Sequence, residues 1–303
     1  MSMVVVAPSG SYLEPSQIER GVATLERLGF TVEMGAHTAD AYGHLAGRDE
    51  DRASDLLTML ERPDIDGVIC LRGGAGALRT ALALDPARLA RLATLPAKVF
   101  MGYSDITVIH GVLERALGWI SFYGPMVTSL ARPSEYVLEG FRQALMHTEP
   151  YSVGPDPDDP YVGTLVPGVA EGELAGGCLT LLAQLIGTPW EPDLSGRILC
   201  FEDVDEEPYA IERYLGQLVA AGRLANCAGV VIGEHTNCQP HEPGPTLALE
   251  QVFRDLLIPL GIPTIYHLPI GHGRHIATLP LGAPARLDAS AGTLQILESG
   301  VAS

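Results

Sequence analysis

Apolar and polar positions in the first half of the chain follow two alternating periods. Short apolar runs at 3–7, 67–71 and 98–101 have the length and composition of buried strands. Between them, apolar residues recur every three or four positions. Ser16 and Glu19 have capping-box spacing, and Ile18, Val22 and Leu25 then share one helical face. Gly29 follows as a helix stop, and 30–33 reads as a second strand. Residues 50–61 read as a helix closed by Pro63. The run 67–71 breaks into the turn Arg72-Gly73-Gly74-Ala75-Gly76, and helical spacing resumes near Ala77. The run 98–101 leads into a turn at 102–104 and then a helix through about Leu117. Strands alternating with helices predict a parallel α/β sheet. In such sheets ligands sit beyond the C-terminal strand ends, where the turns 72–76 and 102–104 both fall.

The pattern changes at 149–168, a stretch with five prolines and several acids that reads as a linker. The predicted organisation is an N-terminal α/β domain over 1–150, a linker over 151–168 and a second domain over 169–303. That second part is mixed. Residues 197–201 and 229–232 read as strands, 209–221 and 247–257 as helices, and 285–287 with 293–297 as a terminal hairpin. There is no internal repeat.

Composition narrows the function classes. The chain has 303 residues and is 47% hydrophobic, enough for a sizeable core. No apolar run is long enough to span a bilayer, and the start MSMVVVAPSG lacks the basic and apolar regions of a secretory signal. A cytoplasmic protein without a membrane partner is expected. The formal charge of −18 comes with no basic stripe, which argues against a nucleic-acid partner. The five cysteines are odd in number and form no C-x-x-C pair, which argues against a disulfide framework or zinc knuckle. Cys70 and Cys200 sit in apolar runs and read as core residues, as expected in a reducing compartment.

Four places carry candidate chemistry. In Gly102-Tyr103-Ser104-Asp105 a serine sits at a tight turn between a buried strand and a helix, the geometry of a nucleophile elbow. The usual last glycine of G-x-S-x-G is replaced by Ile106. The same position suits a serine acting only as a helix N-cap. The turn 72–76 lacks both full phosphate-loop signatures; its backbone N–H groups could instead serve an oxyanion hole, or it could be a close-packed turn. Glu202 abuts the apolar run 197–201 and opens the acidic segment 202–208, a composition typical of a solvated face or a helix N-terminal turn. His272 lies between two glycines in 269–275, with His275 nearby; further metal ligands are not apparent there. Together, Ser104, Glu202 and His272 supply nucleophile, carboxylate and imidazole.

The ordered blocks around these residues resemble the LD-carboxypeptidase family of serine peptidases, which also includes microcin C immunity peptidases. The likeness runs through VVVAPSG (4–10), LAGRDEDRASDL (45–56), VICLRGGAGALR (68–79), GYSDIT (102–107), the block 176–218 and IGHGRHIATLPLG (270–282). It implies a flavodoxin-like parallel-sheet N-terminal domain with a smaller mixed α/β C-terminal domain, a site at their junction, and a homodimer. It also implies a triad in which Ser104 is nucleophile, His272 base and Glu202 the orienting acid. The backbone N–H groups of Asp105 and of Gly74, in the Gly73–Gly74 turn, match the oxyanion hole. Two positions depart from the family pattern: Ala75 where many relatives carry tyrosine, and His275 where relatives often have asparagine.

The resemblance implies no metal or organic cofactor. Its substrate is a murein tetrapeptide, cleaved between the L-centre of its diamino acid and the terminal D-alanine, in cell-wall recycling. A terminal carboxylate calls for an arginine fork, and Arg72, Arg79 and Arg274 are nearest in sequence to the implied site. One alternative is a microcin-immunity activity on aminoacyl or peptidyl nucleotides, whose members stack the base on aromatic residues. Aromatics are scarce here at 6%, with Trp119 and Trp190 the only tryptophans; Trp190 is the candidate for such a contact. A second alternative is a non-catalytic small-molecule-binding α/β protein.

Overall fold

The computed structural model describes residues 1–12, 14–241 and 244–301. Its chain divides into two units, Met1–Glu135 and Tyr136–Ser303.

The apolar runs of the first unit form its sheet because every residue in them is shielded. Met3–Val5 of β1 (Ser2–Val6) have no exposed surface, and β3 (Gly67–Cys70) and β4 (Val99–Gly102) are buried throughout. With β2 (Thr31–Met34) and β5 (Ser121–Tyr123) they run in the order β5-β4-β3-β1-β2, all parallel. This is the flavodoxin-like order. The crossovers are α1 (Pro15–Arg27), α2 (Asp49–Glu61), the short α3 (Ala77–Leu82) and α4 (Pro86–Leu92), and α5 (Thr107–Leu117). One local reading changes. Helix α1 starts at Pro15 with Glu14 as N-cap and no side-chain cap bond, so Ser16 lies inside the helix rather than capping it. Proline needs no N–H at the first helical position and sets the start there.

The second unit opens with α6 (Glu135–Met146) and continues with β6 (Tyr151–Val153), β7 (Gly163–Val166), β8 (Val169–Cys178), α7 (Leu179–Leu185), β9 (Ile198–Val204), α8 (Pro208–Ala220), β10 (Gly229–Thr236), α9 (Leu249–Leu257), β11 (Thr264–Tyr266), β12 (Leu279–Leu281), β13 (Pro284–Asp288) and β14 (Thr293–Ile296). Its large sheet has the order β6-β14-β13-β8-β9-β10-β11-β7. The centre β8-β9-β10-β11 is parallel, and the outer pairings are antiparallel. Leu199, Phe201, Val230 and Ile232 pack with Leu179, Ile211, Leu215 and Phe253 as its core.

The division after Glu135 falls earlier than the expected boundary at 150, and the second unit is the longer of the two. The segment 151–168, expected as a linker, carries β6 and β7. These are the two edge strands of the large sheet, where prolines beside a strand cost no ladder bond. All five cysteines are buried and none is in a disulfide. No helix among the described residues is long and apolar enough to cross a membrane.

Candidate functional site

In the first unit, β4 ends at Gly102 and the chain turns through a short 3₁₀ segment, Ser104–Ile106, into α5. Ser104 has φ +65°, a left-handed backbone that costs a non-glycine residue about 1 kcal/mol or more. An N-cap requires extended backbone instead, and neither the 3₁₀ turn nor α5 has a side-chain cap bond. The capping alternative for Ser104 is thereby set aside in favour of the strained strand-to-helix elbow. Its N–H donates to Tyr123 Oη at 3.1 Å, and Thr107 Oγ1 donates to its carbonyl at 2.7 Å.

The Gly-rich turn lies directly against this serine. A Cβ on Gly73 would stand 2.9 Å from Ser104 Cβ and 3.0 Å from its Oγ, so only glycine allows that approach. Two buried charged side chains, neither singled out from the sequence for this task, fix the turn. Arg52 Nη1 donates to Pro8 O (2.8 Å) and Gly76 O (2.9 Å) and also reaches Thr80, while Nη2 pairs with Asp49. Asp105 Oδ2 accepts from Ser9 Oγ at 2.5 Å and from the Ala77 N–H at 2.8 Å, the first N–H of α3. Burial raises the Asp105 pKa, and those two hydrogen bonds oppose the rise. The residue after Ser104 therefore ties the elbow to the turn after β1 and to the start of α3.

Behind the elbow, His110 is fully enclosed. Its Nε2 meets Gly102 O at 2.9 Å and its Nδ1 meets Ser121 Oγ at 2.8 Å. Burial pushes it down to about 4, so it is a neutral structural imidazole with both nitrogens engaged.

In the second unit, β9 runs on through Glu202, Asp203 and Val204, so the first acids of the segment 202–208 are strand residues rather than a solvated face, while 205–207 lead into the N-terminus of α8. Glu202 has no exposed surface and Asp203 is 2% exposed. Each acid has a reason to be inside. Asp203 Oδ2 accepts from Thr180 N (2.9 Å) and Thr180 Oγ1 (2.8 Å), closing the N-terminus of α7. Glu202 Oε2 lies 2.6 Å from His272 Nδ1. With Nδ1–H donating to the carboxylate, Nε2 carries the lone pair, the tautomer a general base needs. Burial alone would lower the His272 pKa, but the hydrogen bond and charge of Glu202, with Asp203 and Asp205, raise it overall.

The glycines flanking His272 are required by packing. A Cβ on Gly271, where φ is +112°, would overlap the Glu202 carboxyl group; one on Gly273 would overlap the carboxyl group of Glu234. Glu234 was not singled out from the sequence, because nothing local marks it. It sits where the β9–β10 register shifts, between Ile232 and His235. His275 Nε2 lies 3.1 Å from Asp158 Oδ2 and 3.8 Å from Asp156 Oδ1, while Asp156 Oδ1 accepts the N–H groups of Asp158 and Asp159. Asp156, Asp158 and His275 offer ligand atoms within 4.8 Å of one another on an Asx turn, a spacing that could hold a metal ion.

The candidate substrate residues are occupied to different degrees. Arg72 Nη1 donates to Ser11 O at 2.9 Å, and Arg79 forks onto Asp49 Oδ2 at 3.0 and 2.8 Å. Arg274 pairs with Asp158 at 2.7 Å and is 76% exposed. Trp190 is half-buried in the turn after α7, its N–H donating to Thr188 Oγ1 at 3.3 Å.

Residues 3–124 match the LD-carboxypeptidase N-terminal domain, and residues 171–287 match the LD-carboxypeptidase C-terminal domain. A probable murein peptide carboxypeptidase of Bacillus subtilis is 36% identical over 98% of this chain and 91% of its own length. A murein tetrapeptide carboxypeptidase of Pseudomonas aeruginosa is 32% identical over 94% of this chain and 92% of its own. The crystal structure of a muramoyltetrapeptide carboxypeptidase from Oxalobacter formigenes superposes with a TM-score of 0.82 at 33% identity, over 98% of this chain and 99% of that one.

Proposed function

From the premise that this chain belongs to the LD-carboxypeptidase family of peptidases, we propose that it is a serine carboxypeptidase that releases the terminal D-alanine of murein tetrapeptides. The observation that carries the reading is the pairing of a completely buried Glu202 with His272, together with a serine held at positive φ after a buried parallel strand. These are the two unusual local geometries of a serine hydrolase, and each costs stability without a use.

In this reading Ser104 Oγ attacks the carbonyl of the diamino acid's L-centre while His272 Nε2 takes its proton. Glu202 holds the tautomer and stabilises the imidazolium. The N–H groups of Asp105 and Gly74 receive the oxyanion, worth roughly 3 kcal/mol per donor. His272 returns the proton to the D-alanine nitrogen as the amide bond breaks. Water, deprotonated by His272, then hydrolyses the Ser104 ester. Arg72, Arg79 and Arg274 are proposed for the terminal carboxylate. Arg72 adjoins the glycine turn that touches Ser104, whereas Arg79 already holds a carboxylate partner. The protein is proposed to act as a homodimer in the cytoplasm, a reducing compartment that suits five cysteines outside any disulfide.

Incubation with murein L,D-tetrapeptide should yield tripeptide and free D-alanine by mass spectrometry. Ser104→Ala should lower kcat by about four orders of magnitude or more and abolish fluorophosphonate labelling. Wild-type turnover by that variant would overturn the serine assignment. Cleavage of aminoacyl nucleotide amides with none of the tetrapeptide would overturn the substrate.

A further inference from the structure

Residues of β10, α9 and β11 line a cavity of about 340 Å³ within the second unit. Ile232, Glu234 and His235 come from β10, Phe253 from α9, Tyr266 from β11 and His267 from just beyond it. Gly233 also lines it; a Cβ there would stand 2.6 Å from Ile270 O, and one on Gly273 would overlap the Glu234 carboxyl group. The cavity therefore adjoins the loop that carries His272. His267 holds φ +76°, the kind of backbone strain that ligand clamps store.

The charge of this wall is one-sided. Among the described residues no lysine or arginine lines the cavity. Glu250 lines it too but is already paired with Arg254 at 2.8 Å. His267 Nε2 lies 3.2 Å from Asp159 Oδ2, and burial pushes His235 down to about 4, which leaves that imidazole neutral. Glu234 is half-buried, and the charges of Asp156 and Glu202 oppose its ionisation while His272 favours it. Burial first, and then Asp156, push the Glu234 pKa up to about 7. A carboxyl group so placed is stabilised in its ionised form by a cation brought from outside. The rings of Phe253 and Tyr266 suit the methylenes and the head of an alkyl ammonium, and Tyr266 is held by Tyr161, Oη to Oη at 3.0 Å. An anionic group would meet no lysine or arginine in this wall.

We propose that this cavity binds a primary alkyl ammonium with Glu234 as its counter-ion, and that the group it takes is the side-chain amine of the substrate's diamino acid. The assignment rests on the reading of this chain as a murein-peptide carboxypeptidase. In that reading the diamino acid supplies the carbonyl that Ser104 attacks with His272 as base, so its side chain starts beside the His272 loop. The peptide's other ammonium, at its N-terminus, lies further along the chain from that carbonyl. Glu234 is then a specificity-determining residue, which tells a diamino acid from an apolar one of the same length.

The test compares kcat/KM at about pH 8, where an alkyl ammonium is still charged, for three tetrapeptides. One carries lysine as the diamino acid, one carries norleucine in its place, and one carries lysine with only the N-terminus acetylated. The wild-type protein should favour lysine over norleucine by about tenfold or more and treat the two lysine peptides alike. In Glu234→Gln the lysine-to-norleucine ratio should fall towards one, and Glu234→Asp, which keeps the charge, should restore part of it. The wild-type comparison stands whether or not Glu234→Gln folds. Equal kcat/KM for lysine and norleucine, or a preference that survives Glu234→Gln, would overturn the proposal. A loss confined to the N-terminally acetylated peptide would give the cavity to the other amine and overturn the side-chain assignment. Failure of the underlying reading shows separately, as no D-alanine released from any of the three.

Discussion

At Gly271 the backbone stands at φ +112° with the Glu202 carboxyl group in the space a side chain would fill. Gly271→Ala must move either the strand or the histidine. It should destabilise the fold by about 1–3 kcal/mol in urea unfolding and cost far more activity than stability. The pair itself gives a second expectation. His272 is raised above its ordinary value of 6.5. Its stabilising contribution is therefore complete below pH 6.5 and is lost as the pH rises through the folded value. The neutral imidazole that the proposed mechanism needs appears over that same rise. Activity should climb above pH 6.5 while the His272 contribution to Tm falls, and Glu202→Gln should abolish this opposition and lower kcat by roughly three to four orders of magnitude. Residue types with chemistry were visible in the sequence at Ser104, Glu202 and His272. Arg52, the Asp105 side chain, His110, Asp156 and Glu234 were not, because their importance lies in partners that the fold brings to them rather than in any local motif.

The elements were legible where burial matches periodicity and less so where acids or prolines enter a strand. Strands β1, β3 and β4, buried throughout apart from the first residue of β1, are each foretold by an apolar run, and helices α2, α5 and α8 by their faces. Strand β9 outran its apolar core, because Glu202 and Asp203 are neutralised inside by His272 and the α7 terminus rather than by water. Strands β6 and β7 hid in a proline-rich stretch that sheet edges tolerate. The α7 contact has its own test. Asp203→Ala strips the acceptor from Thr180 and leaves the first turn of α7 open. A loss of about 1–2 kcal/mol is expected in urea unfolding. Because Asp203 neighbours Glu202 on the same strand, turnover should drop as well; a variant equally stable and active would remove the cap from the account.

Over the whole molecule, the flavodoxin-like half follows from the alternation of strands and helices, whereas the eight-stranded order of the second sheet does not. That order depends on β8 pairing with β13 and β6 with β14 across more than a hundred residues, and no local pattern encodes such pairing, although the β13–β14 hairpin was legible. Charge, by contrast, is a property of the whole chain and is read from the sequence directly. At −18 the protein repels an anionic peptide until that peptide meets a local cation. The screening length shortens from about 30 Å at 0.01 M salt to about 8 Å at 0.15 M. The long-range repulsion is therefore removed over that range, while a short contact between an arginine and the terminal carboxylate persists. For the murein tetrapeptide, kcat/KM should thus rise with added salt at low ionic strength, the reverse of an electrostatically steered enzyme, and then level off. For a tetrapeptide amidated on its free side-chain carboxylates the rise should shrink. A steady fall of kcat/KM with salt for the anionic peptide would show that a local cationic field, rather than the overall charge, governs encounter.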